Sequence, residues 1–459
     1  MTPRGPAPIS PRCLRDLSPM RAETTALQRL LARFARVEPR ETAAVVAAFC
    51  LFFFVLGSYF AVRPVRETVA TLLGRDRVAD LWLYTALFSI AIVPLWGWLV
   101  ARLRRSLLLP MLYGVVAVIL AFIGSSIQVD ESNLQVGTFF YVWISVINLM
   151  LVSVFWSFLL EMFSAEQSKR LFGFIAAGGT FGALVGPLTA RLLVDSIGNS
   201  GVLYLGTTGF LGAIVCQRVL IGIWNRKREA DAAVSAEATN ESQGDDAGLG
   251  GNPFAGIFIV LRSPYLLGIA SFVVLLSAVN TFLYFEQLRI VSETFEDTTR
   301  RTEVFANIDF IVQSLTILSQ LFLTGRIASR LGVRTLLTFV PVIMFFGFVV
   351  LSMLNVFFMI AALLILRRWG EYAFIRPGRE MLWGSLDTES KYKAKSFVDV
   401  PVYRAADYVG AQAKSALDAV GASPAGAALI GAALAAAWAV NGWTLGRKHD
   451  VASAREPRE

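Results

Sequence analysis

Ionisable residues recur within stretches of this chain that are otherwise too apolar to dissolve in water, and they fall into four clusters. The first is GSYFAVRPVRETVA, residues 57–70, which follows the uncharged run TAAVVAAFCLFFFVLG. Arg63 and Glu67 are four apart and share a helix face, and Arg66 lies one turn from Arg63. Pro64 weakens the local hydrogen-bond ladder and can free backbone groups for a ligand. The second cluster, NTFLYFEQLRIVSETF, sets Glu286 and Arg289 three apart, at the place in the second half that the first cluster holds in the first. The third, RRWGEYAFIRPGRE, carries Arg367, Arg368, Glu371, Arg376, Arg379 and Glu380. It reads either as an ordinary inner loop or as a helix whose Arg367/Glu371 and Arg376/Glu380 pairs line a cavity. The fourth, FVDVPVYRAADYVGAQ, interrupts an apolar span with Asp399, Arg404 and Asp407, for which Lys395/Asp399 and Arg404/Asp407 are the natural pairs.

A charge at membrane depth is costly, so these residues must face a polar cavity or one another. The clusters are net positive, and the planar fork of arginine matches phosphate or carboxylate. That chemistry points to an anionic, phosphorylated solute. Two competing readings stay open: mutual ion pairs that latch two halves of the molecule, and, for the first cluster, side chains snorkelling at a span end. Tyr59, Trp156, Tyr284, Tyr372 and Tyr403 accompany the charges and could stack on a nucleobase or simply pack.

Apolar spans must position these clusters. Mean hydropathy is +0.59 and only 17% of residues are charged, more apolar surface than a water-soluble domain could cover. The expected fold is an all-α integral membrane protein of twelve spans: 42–64, 81–101, 106–128, 138–162, 171–194, 201–224, 265–289, 304–326, 333–354, 356–380, 396–418 and 424–445. The tenth is the least cleanly apolar. The expected organisation is a cytoplasmic segment 1–41 with an amphipathic helix at ALQRLLARFARV, a six-helix half 42–224, a disordered cytoplasmic linker 225–252, a second six-helix half 253–446 and a tail 447–459. The halves echo each other: GWLVARLRRSLLL follows the second span and TGRIASRLGVRTLL the eighth. SAEQSKRLFGFIAAGG likewise follows the fourth and TESKYKAKSFVDVPVY the tenth. Parallel six-span repeats are the architecture of major-facilitator transporters, so a secondary transporter is the expectation from architecture.

Placing both termini inside assigns 28 basic residues to inner segments and 4 to outer loops, which fixes the expected orientation. It also accounts for the isoelectric point near 9.5 without a nucleic-acid partner. Of 42 basic residues 35 are arginine, which suits a bacterial inner membrane. Cys13, Cys50, Cys216 and His449 supply neither a metal set nor a disulfide framework. The glycine-rich AAGGTFGALVGP lacks the lysine and hydroxyl of a phosphate loop; Gly182 and Gly186 instead have the spacing of a close helix contact. No constellation for catalysis survives inspection, so an enzyme is not expected, and no cofactor is. The first 41 residues lack the apolar core of a cleavable signal peptide, and Met20 is an alternative start.

At these clusters the chain resembles a known family. EYAFIRPGREMLWGSLDTESKYKAKSFVDV resembles a signature of the ATP/ADP translocases, nucleotide transporters of plastids and obligate intracellular bacteria. Tyr372, Pro377, Arg379, Glu380, Met381, Leu386, Asp387, Lys393 and Lys395 match it, with Arg379 in place of a lysine. YFAVRPVRETV is similar to the family's first-span run, with Arg66 on its substrate-associated lysine and Glu67 on its final acid. SVFWSFLLEMFSAEQSKRLFGFIAAGG resembles its Leu-Phe-Trp segment and the loop that follows. The likeness covers about residues 45–415 and implies a twelve-span fold and nucleotide exchange. There are departures: VWISVINLML lacks the fourth-span acid, Glu286 and Arg289 are spaced three rather than four apart, and YRAADYVG replaces a Gly-Lys-Ser-Gly motif.

The expected solute contacts are Arg63, Arg66, Glu67, Glu286, Arg289, Arg379, Glu380, Arg404 and Asp407, with Tyr59, Trp156, Tyr284, Tyr372 and Tyr403 as aromatic cavity candidates. The expected function is secondary active transport of an anionic solute by alternating access, with nucleotide exchange the leading form. Two alternatives stand beside it. One is a proton-coupled carrier or exporter of organic anions or peptides, and the other is a non-transporting membrane receptor or assembly factor.

Overall fold

The structure is a computed structural model that describes residues 38, 41–102, 105–126, 134–163, 165–235, 255–354, 356–383, 394–395 and 397–453. The amphipathic helix expected before residue 38, residues 236–252 of the expected linker and the motif positions Leu386, Asp387 and Lys393 lie outside them. Among the described residues there is helix and no strand.

The first half comprises α1 (Thr42–Leu73), α2 (Arg75–Arg102), α3 (Arg105–Ser126), α4 (Leu134–Met162) and α5 (Ala165–Ser235). The second comprises the short α6 (Ala255–Arg262), α7 (Pro264–Thr294), α8 (Thr298–Ser319), α9 (Gly325–Met353), α10 (Phe357–Gly370), α11 (Arg376–Leu382), α12 (Tyr403–Ala419) and α13 (Pro424–Ser453). Single π-helical turns, Gln320–Thr324 and Glu371–Ile375, join α8 to α9 and α10 to α11, and a third, Val398–Val402, leads into α12. α5 and α9 reverse at Gly198 (φ 67°) and Gly332 (φ 77°), a left-handed backbone that glycine alone adopts without strain. At Gly332 the Asp450 carboxylate accepts the amides of Val333 and Arg334, at 3.0 and 3.2 Å, pinning α13 to the turn. Seven stretches among the described residues are long and apolar enough to cross a membrane: α1, α4, most of α5, α7, α8 running into α9, the rest of α9, and α13.

α5 continues through Ser235, so the first part of the 225–252 segment is helical rather than disordered. Its sequence NRKREADAAVS is rich in strong helix formers and extends a helix already nucleated.

Each half has its own apolar core, and Phe285, Leu288, Ala306 and Ala411 of the second half complete the core of the first where the two meet. Within the first half α1 lies in a groove of α5. A Cβ on Gly182 would sit 2.2 Å from the Phe53 carbonyl oxygen, and one on Gly186 2.3 Å from that of Gly57, so only glycine permits this approach.

Candidate functional site

The halves are stitched together at one end. Thr302 of α8 donates to Asn199 of α5 (2.6 Å) and bonds Thr68 of α1 (2.6 Å). Arg301 is buried there and donates to Thr71 Oγ1 (3.0 Å) and to the carbonyls of Phe295 (2.7 Å) and Ser292 (3.2 Å). On the other flank Arg75 of α2 pairs with Asp418 of α12 at 2.9 Å, and Ser415 donates to Asp76 at 3.0 Å. Lys414, 1% exposed, holds Asp418 (2.5 Å) and Glu286 (3.1 Å).

Between the halves, extending from beneath this closed end toward the other, is a cavity of about 530 Å³. Tyr59, Arg63, Arg66 and Glu67 of α1, Trp82 and Thr85 of α2, and Tyr141, Ser145 and Asn148 of α4 form one wall. The opposite wall is Asn280, Tyr284 and Gln287 of α7, Phe305 and Asp309 of α8, Leu364, Arg367, Arg368, Glu371, Tyr372, Arg376, Arg379 and Glu380 from α10 through α11, and Asp399, Tyr403, Arg404 and Asp407. Seven arginines face six carboxylates there, leaving one positive charge in excess.

The pairing follows from helix geometry. Arg63 and Glu67, one turn apart on α1, lie 3.8 Å from each other, and Arg66 pairs closely with Glu67. Arg66 also donates to Ser145 (3.1 Å) and lies over the Tyr141 ring (5.4 Å). Asp309 of α8 receives Arg63 (3.3 Å) from the first half and Arg368 (2.5 Å) from the second. Glu371 accepts from Arg367 (2.9 Å) and Arg376 (3.1 Å). The π turn makes the second contact possible: its backbone bond runs from the Arg376 amide to the Glu371 carbonyl, so residues five apart come onto one face. A hydroxyl chain closes the far wall. Trp82 Nε1 donates to Tyr141 (2.8 Å), Tyr141 bonds Tyr284 (3.0 Å), and Tyr284 donates to Glu67 (3.0 Å). Arg66 Nε, Arg367 Nε, Arg368 Nη2 and Arg379 Nε are buried without an acceptor among the described residues.

The structure therefore brings Arg63, Arg66, Glu67, Arg379, Glu380, Arg404 and Asp407 into one cavity, with Tyr59, Tyr284, Tyr372 and Tyr403. It sets three expected residues elsewhere. Glu286 and Arg289 do pair, at 2.8 Å, but belong to the closed end: Glu286 sits about 200° around the helix from Tyr284, so it meets Lys414 and not the cavity. Trp156 packs among Phe52, Phe155 and Phe172 in the apolar core of the first half. Two expected pairs are also exchanged. Arg379 takes Asp399 (3.2 Å) and Lys395 takes Glu380, because the π turn draws Arg376 to Glu371 and so leaves Glu380 to Lys395 and Asp399 to Arg379. The third cluster is a cavity wall and not an inner loop. Sequence reasoning missed Asp309, although a lone acid in the apolar stretch VFANIDFIVQ carries the same signal as the clusters. It also missed the neutral amides: Asn148 lies in an uncharged stretch, and Asn280 and Gln287 are overshadowed by Glu286 and Arg289 within the second cluster.

Two helical halves thus enclose a charged central cavity and are bridged at one end. The family profile described as Major Facilitator Superfamily matches residues 48–375, and the chain belongs to that superfamily as a multi-pass membrane transporter. It is similar in fold to a POT family transporter solved in complex with 5-aminolevulinic acid, at 12% identity over 88% of this chain and 96% of that one, with a TM-score of 0.60. The nucleoside transporter NupG is similar at 13% identity over 89% of this chain and 99% of that one, with a TM-score of 0.58. None of the curated protein sequences matches the chain.

Proposed function

We propose that this protein carries a small anionic solute across the membrane by alternating access, with a nucleotide as the leading substrate class and counter-exchange as the leading mode. One observation carries the reading: arginines from both halves converge on a cavity of net positive charge, and four of them keep a buried donor without an acceptor among the described residues. Guanidinium groups so placed match phosphate oxygens. Trp82, Tyr141 and Tyr284 supply an aromatic wall beside Arg66, and Asn148, Asn280 and Gln287 supply neutral hydrogen-bonding groups suited to a base or sugar. The resemblance to ATP/ADP translocases at the first and third clusters supports the same class. In this reading the chain crosses a bacterial inner membrane twelve times with both termini cytoplasmic, the closed end faces outward, and 42–224 and 253–446 are the moving halves.

A second reading, a proton-coupled carrier of organic anions or peptides, is favoured by Asp407. It accepts Ser277 Oγ at 2.5 Å, and its nearest cation, Arg404, is 3.9 Å away. Every other cavity carboxylate has a cationic nitrogen within 3.3 Å. The fold neighbours include a transporter solved with 5-aminolevulinic acid and a nucleoside transporter, so small polar solutes of either kind suit such a cavity.

The deciding experiment is thermal stabilisation of the purified protein by ATP, ADP, AMP, phosphate and organic acids, with Arg66→Ala in parallel. A nucleotide-specific rise in Tm that disappears in the variant supports the first reading. A response to organic acids alone supports the second.

A further inference from the structure

We propose that Asp309 is a tethered stand-in for the anionic group of the solute, and that it sets the site's preference for polyanions such as phosphates over monocarboxylates. The proposal rests on the anion-carrier reading and deepens it. Asp309 is 2% exposed and sits on α8 between Arg63 of α1 and Arg368 of α10. One carboxylate thus bridges a guanidinium from each half, the geometry in which a bound anion would hold the halves together.

The clasp is incomplete in a specific way. Each arginine offers Asp309 a single nitrogen, Nη1 in both cases, whereas a guanidinium fork binds an anion best through two parallel bonds. Arg368 Nη2 is buried without an acceptor among the described residues, and Arg63 makes its second ionic contact only at 3.8 Å, to Glu67. A phosphate, with more charge and three free oxygens, can fill both forks at once. A monocarboxylate brings what Asp309 already supplies, and it must also give up the translational freedom that a tethered group never had. The internal carboxylate therefore sets a threshold that monoanions fail and polyanions pass. It also offsets part of the charge of two guanidiniums that stay buried when the empty carrier reorients.

The test is a titration of the purified full-length protein with pyrophosphate, ADP and acetate, read by calorimetry. It compares wild type with Asp309→Asn and Asp309→Ser, both neutral and hydrogen-bonding, and either folded variant decides. Removing the carboxylate should tighten pyrophosphate binding about tenfold or more and narrow the pyrophosphate-to-acetate affinity ratio, since acetate now meets two vacant forks. Unchanged or weaker pyrophosphate binding, or an unchanged ratio, overturns the proposal, because a merely structural ion pair predicts no gain. Wild type that binds nucleotide while the neutral variants gain nothing retires the stand-in and keeps the carrier. Wild type that ignores every anion while a neutral variant takes up pyrophosphate retires the anion substrate and keeps the clasp. No binding to any of them overturns both.

Discussion

The closed end and the cavity are built from the same residue types, yet their hydrogen-bond accounts differ. At the closed end Arg301 places three nitrogens on three oxygens, and Lys414 and Arg75 both engage Asp418. In the cavity Arg66, Arg367, Arg368 and Arg379 each keep a buried donor without an acceptor among the described residues. A saturated network is at its energy minimum as it stands and acts as a latch. An under-satisfied one holds binding free energy in reserve, because a buried unpaired donor costs about 1–3 kcal/mol until something accepts it. The proposed carrier needs both: its latch must open when the ligand has completed the receptor, since a ligand shifts a conformational equilibrium only through differential affinity.

The largest effect should come from the receptor. Under the proposed nucleotide reading, Arg66→Ala and Arg368→Ala should each weaken nucleotide binding about 100-fold or more, measured by calorimetry, while Tm without ligand changes little. If instead Tm collapses and affinity per folded molecule holds, the two regions are alike and the comparison is broken. The converse variant is Arg301→Gln. Losing three satisfied bonds at a buried site should cost about 2–3 kcal/mol of stability, seen as a lower Tm, with nucleotide affinity within about threefold of wild type.

What the sequence makes legible and what it hides divides along the same line. The membrane class and the Arg63, Arg66 and Glu67 cluster are readable because membrane depth makes any charge conspicuous. The Gly182/Gly186 contact is readable because a four-residue glycine spacing has one steric meaning in a packed helix. Depth and facing are less readable. Glu286 and Arg289 pair as their spacing says, but the spacing does not tell on which side of α7 they lie. The π turn at Glu371–Ile375 is invisible to period counting, and it reassigns Arg376 to Glu371 and leaves Glu380 to Lys395. Asp309 stands alone in VFANIDFIVQ, and Lys414 lies seven residues beyond Asp407, the last charge of the fourth cluster, so a search for clusters passes over both. Both are nonetheless the hubs of their regions.

A smaller effect sharpens the role of the latch. Asp418→Asn removes the Arg75 bridge between the halves and leaves Lys414 with Glu286. Because Arg75 and Asp418 are partly exposed, the loss should be only about 1 kcal/mol, a several-fold shift toward opening at that end. In a background lacking Cys13, Cys50 and Cys216, a cysteine at Ser415 should then react several-fold faster with a membrane-impermeant thiol reagent. An unchanged rate would mean that this flank does not gate.

The smallest effect calibrates the other two regions, because it falls on an ion pair belonging to neither. Glu41, just before α1, accepts both terminal nitrogens of Arg170 at 2.9 Å and Gln167 at 2.7 Å. Burial pushes the Glu41 carboxyl up, but the hydrogen bonds from Arg170 and Gln167 outweigh it and hold the group below the usual carboxylate range. A carboxylate whose pKa is lower in the folded state stabilises the fold at and above its unfolded value. That contribution fades as pH falls through the lowered folded value. Glu41→Gln should therefore cost no more than about 1 kcal/mol near neutral pH and flatten the decline of Tm as the pH is lowered toward about 3. Nucleotide affinity should not move at all. If it does, the link between α1 and the start of α5 is part of the gating machinery, and the division into one latch and one receptor is too simple.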